Sequence, residues 1–166
     1  MPAAARSTAA RQRRPLYTPQ QRARRDASRW TLVQGVLAPV QFLAFAVSVV
    51  LVLRCLLTGE GYGAATLSVV VKTALLYTIM VTGCVWEKVV FDRWLFAPAF
   101  FWEDLFSMAV LALHSAYLWA LFNAALAPRA LLLLALAAYL TYVINAGQFV
   151  RKLRLARLDT ANGATA

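Results

Sequence analysis

Acidic residues are scarce in this chain: seven Asp and Glu stand against 17 Lys and Arg, and there are one histidine and two cysteines. A single imidazole and two cysteines without metal-type spacing cannot by themselves build a zinc or iron–sulfur site. Cys55 and Cys84 lie in or beside apolar stretches and read as small buried side chains. No Gly-rich phosphate loop, nucleophile motif or iron-type histidine cluster occurs. Residues 1–29 hold no apolar core, so no secretory signal peptide is expected. Their Arg- and Ala-rich character loosely resembles a mitochondrial transit peptide, but a basic tail is the simpler reading.

Apolar residues, by contrast, make up 61% of the 166 positions, with a mean hydropathy of +0.62. A soluble domain of this length would not carry so many. The expectation is an all-α integral membrane four-helix bundle with an N-terminal basic interfacial helix. The net charge of +10 could suggest nucleic acid, but eight basic residues precede Trp30 and four follow Val150. Charge at the two ends of apolar spans reads as anchoring to anionic lipid, with no nucleic-acid partner.

Residues 1–17 read as a disordered basic tail, 18–158 as the membrane domain and 159–166 as a second disordered tail. Thr18-Pro19-Gln20-Gln21 is a capping-box pattern with Pro at the first helical position, predicting a short basic helix from Pro19 to Arg29 on the membrane surface. Four apolar spans follow, at about 31–53, 63–85, 95–122 and 128–150. Each reaches the roughly 20 residues that a membrane crossing requires. Thr58-Gly59-Glu60-Gly61 is a turn signal between the first two spans. The basic bias places both termini, and with them the connection holding Glu87, Lys88, Asp92 and Arg93, on the cytoplasmic side.

Polar residues recur at helical spacing within the spans. Gln34, Gln41 and Ser48 form one stripe; Glu103, Ser107, His114 and Tyr117 a second; Thr141, Asn145 and Gln148 a third. Such stripes face neighbouring helices, and structural glue is the ordinary explanation. Glu103 and Asp104 should lie roughly 10 Å from the cytoplasmic face, with Gln34, Gln41, Asn145 and Gln148 in the same half and Glu87 at its rim. A polar cavity open to the cytoplasm is expected there. Lys72 and His114 should lie deeper, at similar heights.

Three formal charges in mid-span would cost roughly 7–10 kcal/mol, so they must be paired, neutralised or wetted. A structural ion pair of the acidic residues with Lys72 or a loop Arg is one solution. Adjacent residues point in different directions on a helix, so one acid can face a cavity while the other pairs. A carboxyl group in a low-dielectric site can also act as a general acid near neutrality, with a second carboxylate or an imidazole orienting water. That constellation suits proton-driven addition to an apolar substrate, and it suits proton-coupled transport equally.

Long stretches resemble a known family. They are Trp30-Thr31-Leu32-Val33-Gln34-Gly35-Val36-Leu37-Ala38-Pro39, Tyr77-Thr78-Ile79-Met80-Val81-Thr82-Gly83 with Trp86-Glu87-Lys88, Leu95-Phe96-Ala97-Pro98-Ala99-Phe100-Phe101-Trp102-Glu103-Asp104, and Tyr142-Val143-Ile144-Asn145-Ala146. From about Tyr17 to Leu158 the chain resembles the 2-vinyl bacteriochlorophyllide hydratases, also described as 3-vinyl bacteriochlorophyllide or chlorophyllide a hydratases. The resemblance implies a hydro-lyase of bacteriochlorophyll synthesis in the inner or intracytoplasmic membrane of a phototrophic bacterium. Water would add to the ring-A vinyl group of a chlorophyllide or bacteriochlorophyllide, giving a 1-hydroxyethyl group without any cofactor. On that footing Glu103, Asp104 and Glu87 are the candidate catalytic residues. His114, Lys72, Gln41, Asn145 and Trp102 are candidate substrate-binding residues, with His114 as a candidate axial ligand to the substrate's magnesium and no metal of the protein's own. Lys88 or Arg93 would hold the pigment's propionate, and Phe100, Phe101 and Trp102 would pack on the macrocycle. Alternatives are a non-catalytic pigment carrier or assembly protein, and a small proton-coupled transporter. Ala135, Ala138 and Gly147 would support helix contacts within the chain or in a homo-oligomer, and neighbouring pathway enzymes are further candidate partners.

Overall fold

The computed structural model describes residues 16–163, with side chains to residue 157. It contains five helices among the described residues: α1 Pro19–Ala27, α2 Arg29–Thr58, α3 Tyr62–Phe91, α4 Phe101–Phe122 and α5 Pro128–Gly163. Local chemistry sets their ends. Thr18 and Gln21 close the expected capping box at α1, with Pro19 in its first turn. Ser28 then caps α2, its Oγ accepting from the Trp30 N–H at 3.2 Å. Gly59 and Gly61 have φ of 76° and 79°, so the α2–α3 turn uses the left-handed region that glycine tolerates.

Four helices, α2 to α5, are long and apolar enough to cross a membrane by length and composition. Side chains such as Leu32, Val36, Leu57, Leu67, Trp119 and Phe122 point outward, as lipid-facing positions do. Lipid gives no hydrophobic drive between helices, so close packing and internal hydrogen bonds must hold the bundle. Small residues permit that packing: Ala65, Ala120, Ala135 and Ala138 are buried between helices. Ala135 and Ala138 therefore serve contacts within the chain, whereas Gly147 is exposed. Gln34 on α2 donates to Thr82 on α3 at 2.8 Å, and Ser48 on α2 meets Ser68 on α3 and Tyr139 on α5 at 2.7 and 2.5 Å.

Packing is closest within two hairpins, α2 with α3 and α4 with α5; α3 touches α4 and α5 only lightly. The up-and-down course brings α1, the α3–α4 loop and the end of α5 to one end of the bundle, here termed the termini end. An aromatic cluster closes it: Tyr17 stacks on Phe91 at 5.8 Å, and Phe100 lies between Trp86, Phe91 and Phe149.

Several boundaries differ from the sequence expectation: α2 runs on to Thr58 and α3 to Phe91, which puts Glu87 and Lys88 in the last turns of α3 instead of in the connection. The third span begins at Phe101 rather than Leu95, because Pro98 disfavours helix before it and Phe96 takes a left-handed φ of 58°. Tyr17 is buried under α3 and so belongs to the folded part instead of the tail. Residues 159–163 continue α5 as helix, where a loose tail is expected. The rest of both expected tails, 1–15 and 164–166, lies outside the described residues.

Candidate active site

Glu87, Glu103 and Asp104 are 5%, 7% and 4% exposed, and they converge where α3 hands over to α4. Glu103 and Asp104 occupy the first turn of α4, where the helix dipole favours negative charge. Their depth is thus that of a helix end, shallower than a span beginning at Leu95 would give. Glu87 comes from the last turns of α3 and reaches the same place because the 92–100 loop folds back between the helices.

The loop and the carboxyl groups hold one another. The Ala97 N–H donates to Glu87 Oε2 at 3.1 Å, and the Phe96 N–H donates to Asp104 Oδ2 at 2.9 Å. These bonds offset the strain of Phe96 in its left-handed conformation. Glu87 and Asp104 also lie close enough to act on each other electrostatically. Two like charges held that close in a buried site repel, and a proton shared between the carboxyl groups relieves the repulsion.

Glu103 is different. Lys152 Nζ donates to its Oε2 at 2.5 Å, and the same ammonium lies 4.9 Å from the Phe100 ring centre. The ion pairs among the described residues are Arg25–Asp26, Lys88–Asp92 and Lys152–Glu103. Glu87 and Asp104 therefore have no ion-pair partner there. One turn further in, Ser107 Oγ donates to the Glu103 carbonyl and accepts from Asn145 Nδ2, both at 2.8 Å. Gln41, 2% exposed, faces the interior from α2.

Lys72 and His114 do not join this cluster. Lys72 Nζ lies 2.7 Å from His114 Nε2, and His114 Nδ1 lies 2.8 Å from the Val110 carbonyl. The tautomer that satisfies both bonds carries its proton on Nδ1. Lys72 also sits 4.1 Å from the Tyr142 ring centre. Fifteen residues of α3 separate Lys72 from Glu87, roughly 22 Å along the helix. Both imidazole nitrogens are engaged by the protein, so magnesium ligation by His114 would require Lys72 to leave.

Trp102 and Phe101 are 64% and 45% exposed, on the outward face of α4, while Phe100 is buried in the aromatic cluster. Lys88 pairs with Asp92 at 2.6 Å, and this hydrogen bond and the ammonium's charge hold the Asp92 carboxyl below the usual carboxylate range. Arg93 is exposed. Sequence reasoning missed Lys152 as part of the site because it sits among lipid-anchoring bases. Folding α4 and α5 into a hairpin about the short 123–127 turn would have brought it roughly level with Glu103.

Comparison with known proteins gives these positions a context. A family model described as 2-vinyl bacteriochlorophyllide hydratase matches residues 17–155, from Tyr17 of the aromatic cluster through the Lys152 pair. The 2-vinyl bacteriochlorophyllide hydratase of Cereibacter sphaeroides is 70% identical over 147 residues, 88% of this chain and 91% of the relative. The protein of the same name from Rhodobacter capsulatus is 67% identical over 150 residues, 90% of this chain and 87% of the relative. No solved structure matches. A match spanning all four membrane helices and the whole acid cluster leaves one assignment: the chain belongs to the 2-vinyl bacteriochlorophyllide hydratase family.

Proposed function

We propose that this chain adds water across the ring-A vinyl group of a chlorophyllide or bacteriochlorophyllide, with the Glu87–Asp104 pair as its acid and base. The chain is a hydratase of bacteriochlorophyll biosynthesis. The observation that carries the site assignment is the contrast among three buried carboxyl groups: Glu103 has a lysine, whereas Glu87 and Asp104 lie near each other with one backbone N–H group apiece and no cation among the described residues.

The proton held by the pair passes to the terminal vinyl carbon. The former double-bond electrons make the new C–H bond, and a cation forms on the carbon attached to the ring, where the macrocycle delocalises it. The carboxylate left behind stabilises that cation electrostatically. Water attacks the cationic carbon and releases a proton to the pair, which restores the starting state. Substrate plus one water equals product, so no redox step enters. Glu103 and Lys152 act as positioning residues, fixing the first turn of α4 against α5. Phe101 and Trp102, exposed beside the acids with their rings nearly perpendicular, offer one ring face and one ring edge to a macrocycle arriving from the bilayer. The basic bias of the termini supports a location of this end of the bundle, and of both termini, at the cytoplasmic face of a bacterial inner or intracytoplasmic membrane.

The test is incubation of the full-length protein in membranes with a vinyl chlorophyllide in oxygen-18 water. The expected product is heavier by one labelled water. A folded protein that binds pigment yet yields no such product would be a carrier, and the hydration reading would fall.

A further inference from the structure

Gln41 is 2% exposed, and neither its Nε2 nor its Oε1 has a hydrogen-bond partner among the described residues. Asn145, 8% exposed, spends its Nδ2 on Ser107 and leaves Oδ1 without a partner. Gln148 Oε1 is likewise buried and unpartnered. Each such group costs about 1–3 kcal/mol unless something satisfies it, and lipid cannot.

These side chains share one level of the bundle. Phe45 of α2 packs on Tyr142 of α5 with ring centres 4.9 Å apart. Gln41 lies one turn from Phe45 toward the termini end, and Asn145 lies about one turn from Tyr142 in the same direction, because the two helices are antiparallel. Gln148 is the next turn along. Ser107 ties this level to the Glu103 carbonyl, beside the acid cluster.

We propose that Gln41 and Asn145, backed by Gln148, hold the water molecule that attacks the pigment. This assignment rests on the hydration reading above. The donor–acceptor balance selects the guest: the buried unpartnered atoms of these three side chains are three carbonyl oxygens and one amide NH2. A pigment keto group could use only the NH2. A tetrapyrrole carrying magnesium has no ring N–H to offer the oxygens. Water has two donors, and a buried water takes about three hydrogen bonds. With both hydrogens held by amide oxygens, its lone pair is left for the cationic carbon. Amides do not ionise, so the proton released after C–O bond formation goes to the Glu87–Asp104 pair.

The test is competition between water and methanol as nucleophile in the full-length protein, read as the ratio of 1-methoxyethyl to 1-hydroxyethyl pigment. That ratio does not depend on how much enzyme folds. Gln41→Ala and Asn145→Ala enlarge the niche; Gln41→Asn, one methylene shorter, keeps the amide. One methylene of fit is worth roughly 10–200-fold in discrimination, so the ratio should rise at least about tenfold over wild type. A ratio within about twofold of wild type in all three variants would overturn the proposal. For a variant without turnover, pigment binding measured by absorbance decides. Retained binding supports a water niche, and binding lost together with turnover overturns it, since the amides would then grip the pigment. A wild-type protein forming no hydroxyethyl pigment would sink the hydration reading itself. Wild-type hydration with unmoved amide variants would sink this assignment alone.

Discussion

Replacing Lys152 with Met removes the ammonium that serves Glu103 while keeping most of the apolar stem. Removing one partner of a buried ion pair costs about 3–5 kcal/mol, mainly because the other charge stays buried and unpaired. Here the Lys152 and Glu103 side chains are 23% and 10% exposed, so solvent relieves part of that penalty. A loss of about 2–3 kcal/mol is expected. Glu103→Gln alone should cost less, since a neutral amide can still accept from Lys152. In the double variant the stranded charge is gone, so it should be more stable than Lys152→Met by about 1–2 kcal/mol. Reversible unfolding by SDS titration in mixed micelles measures all three variants. Turnover should follow the same logic: Glu103→Gln keeps activity within about tenfold of wild type, because Glu103 positions but donates no proton. Strictly additive stabilities would refute the ion pair as a unit. A loss of turnover in Glu103→Gln as deep as in Asp104→Asn would refute the division of labour among the three acids.

Asp104→Asn and Glu87→Gln preserve an acceptor for the Phe96 and Ala97 N–H groups but remove the exchangeable carboxyl proton. Steady-state kinetics should show kcat falling roughly 10²–10⁴-fold with pigment affinity little changed, and rates near wild type in both variants would exclude the pair as the acid. His114→Ala leaves Lys72 without its partner in the bundle interior, so SDS titration should show a loss of about 2–4 kcal/mol. The bound pigment's absorption spectrum should stay the same; a changed spectrum would restore His114 as the axial ligand. Burial under α3 raises the Tyr17 phenol above its ordinary value, with the nearby Arg25 opposing. A group with a raised folded pKa contributes stability that is full below the unfolded value of about 10 and is lost as pH rises through the folded one. Alkaline titration followed by Trp86 fluorescence should therefore show α1 releasing above about pH 10, and Tyr17→Phe should abolish the transition.

Much of the fold is legible in the residues themselves. Capping at Thr18, the glycines at 59 and 61 and four long apolar runs mark the start of α1, the α2–α3 turn and the presence of four spans, but not the start of α4. That start is hidden because Leu95–Phe100 is as apolar as a span. What unwinds it is Pro98 together with two backbone N–H groups captured by Glu87 and Asp104, ten and eight residues away. The importance of the acids is visible from their setting, yet their pairing is not. Adjacent numbering suggests Glu103 with Asp104, whereas the fold sets Asp104 beside Glu87 and ties Glu103 to Lys152. Lys72 likewise suggests a counter-ion for those acids, but helix register delivers it to His114. Contacts between distant helices decide each case, and local spacing carries no record of them.

The light contact of α3 with α4 and α5, against the tight packing inside each hairpin, gives the molecule one mechanically soft line. Swinging one hairpin against the other breaks fewer contacts than separating the helices of either. A gap formed along that line near the termini end would face sideways into the membrane. A flat, greasy pigment could then slide in edge-on from the surrounding lipid and leave by the same slot, without ever crossing water.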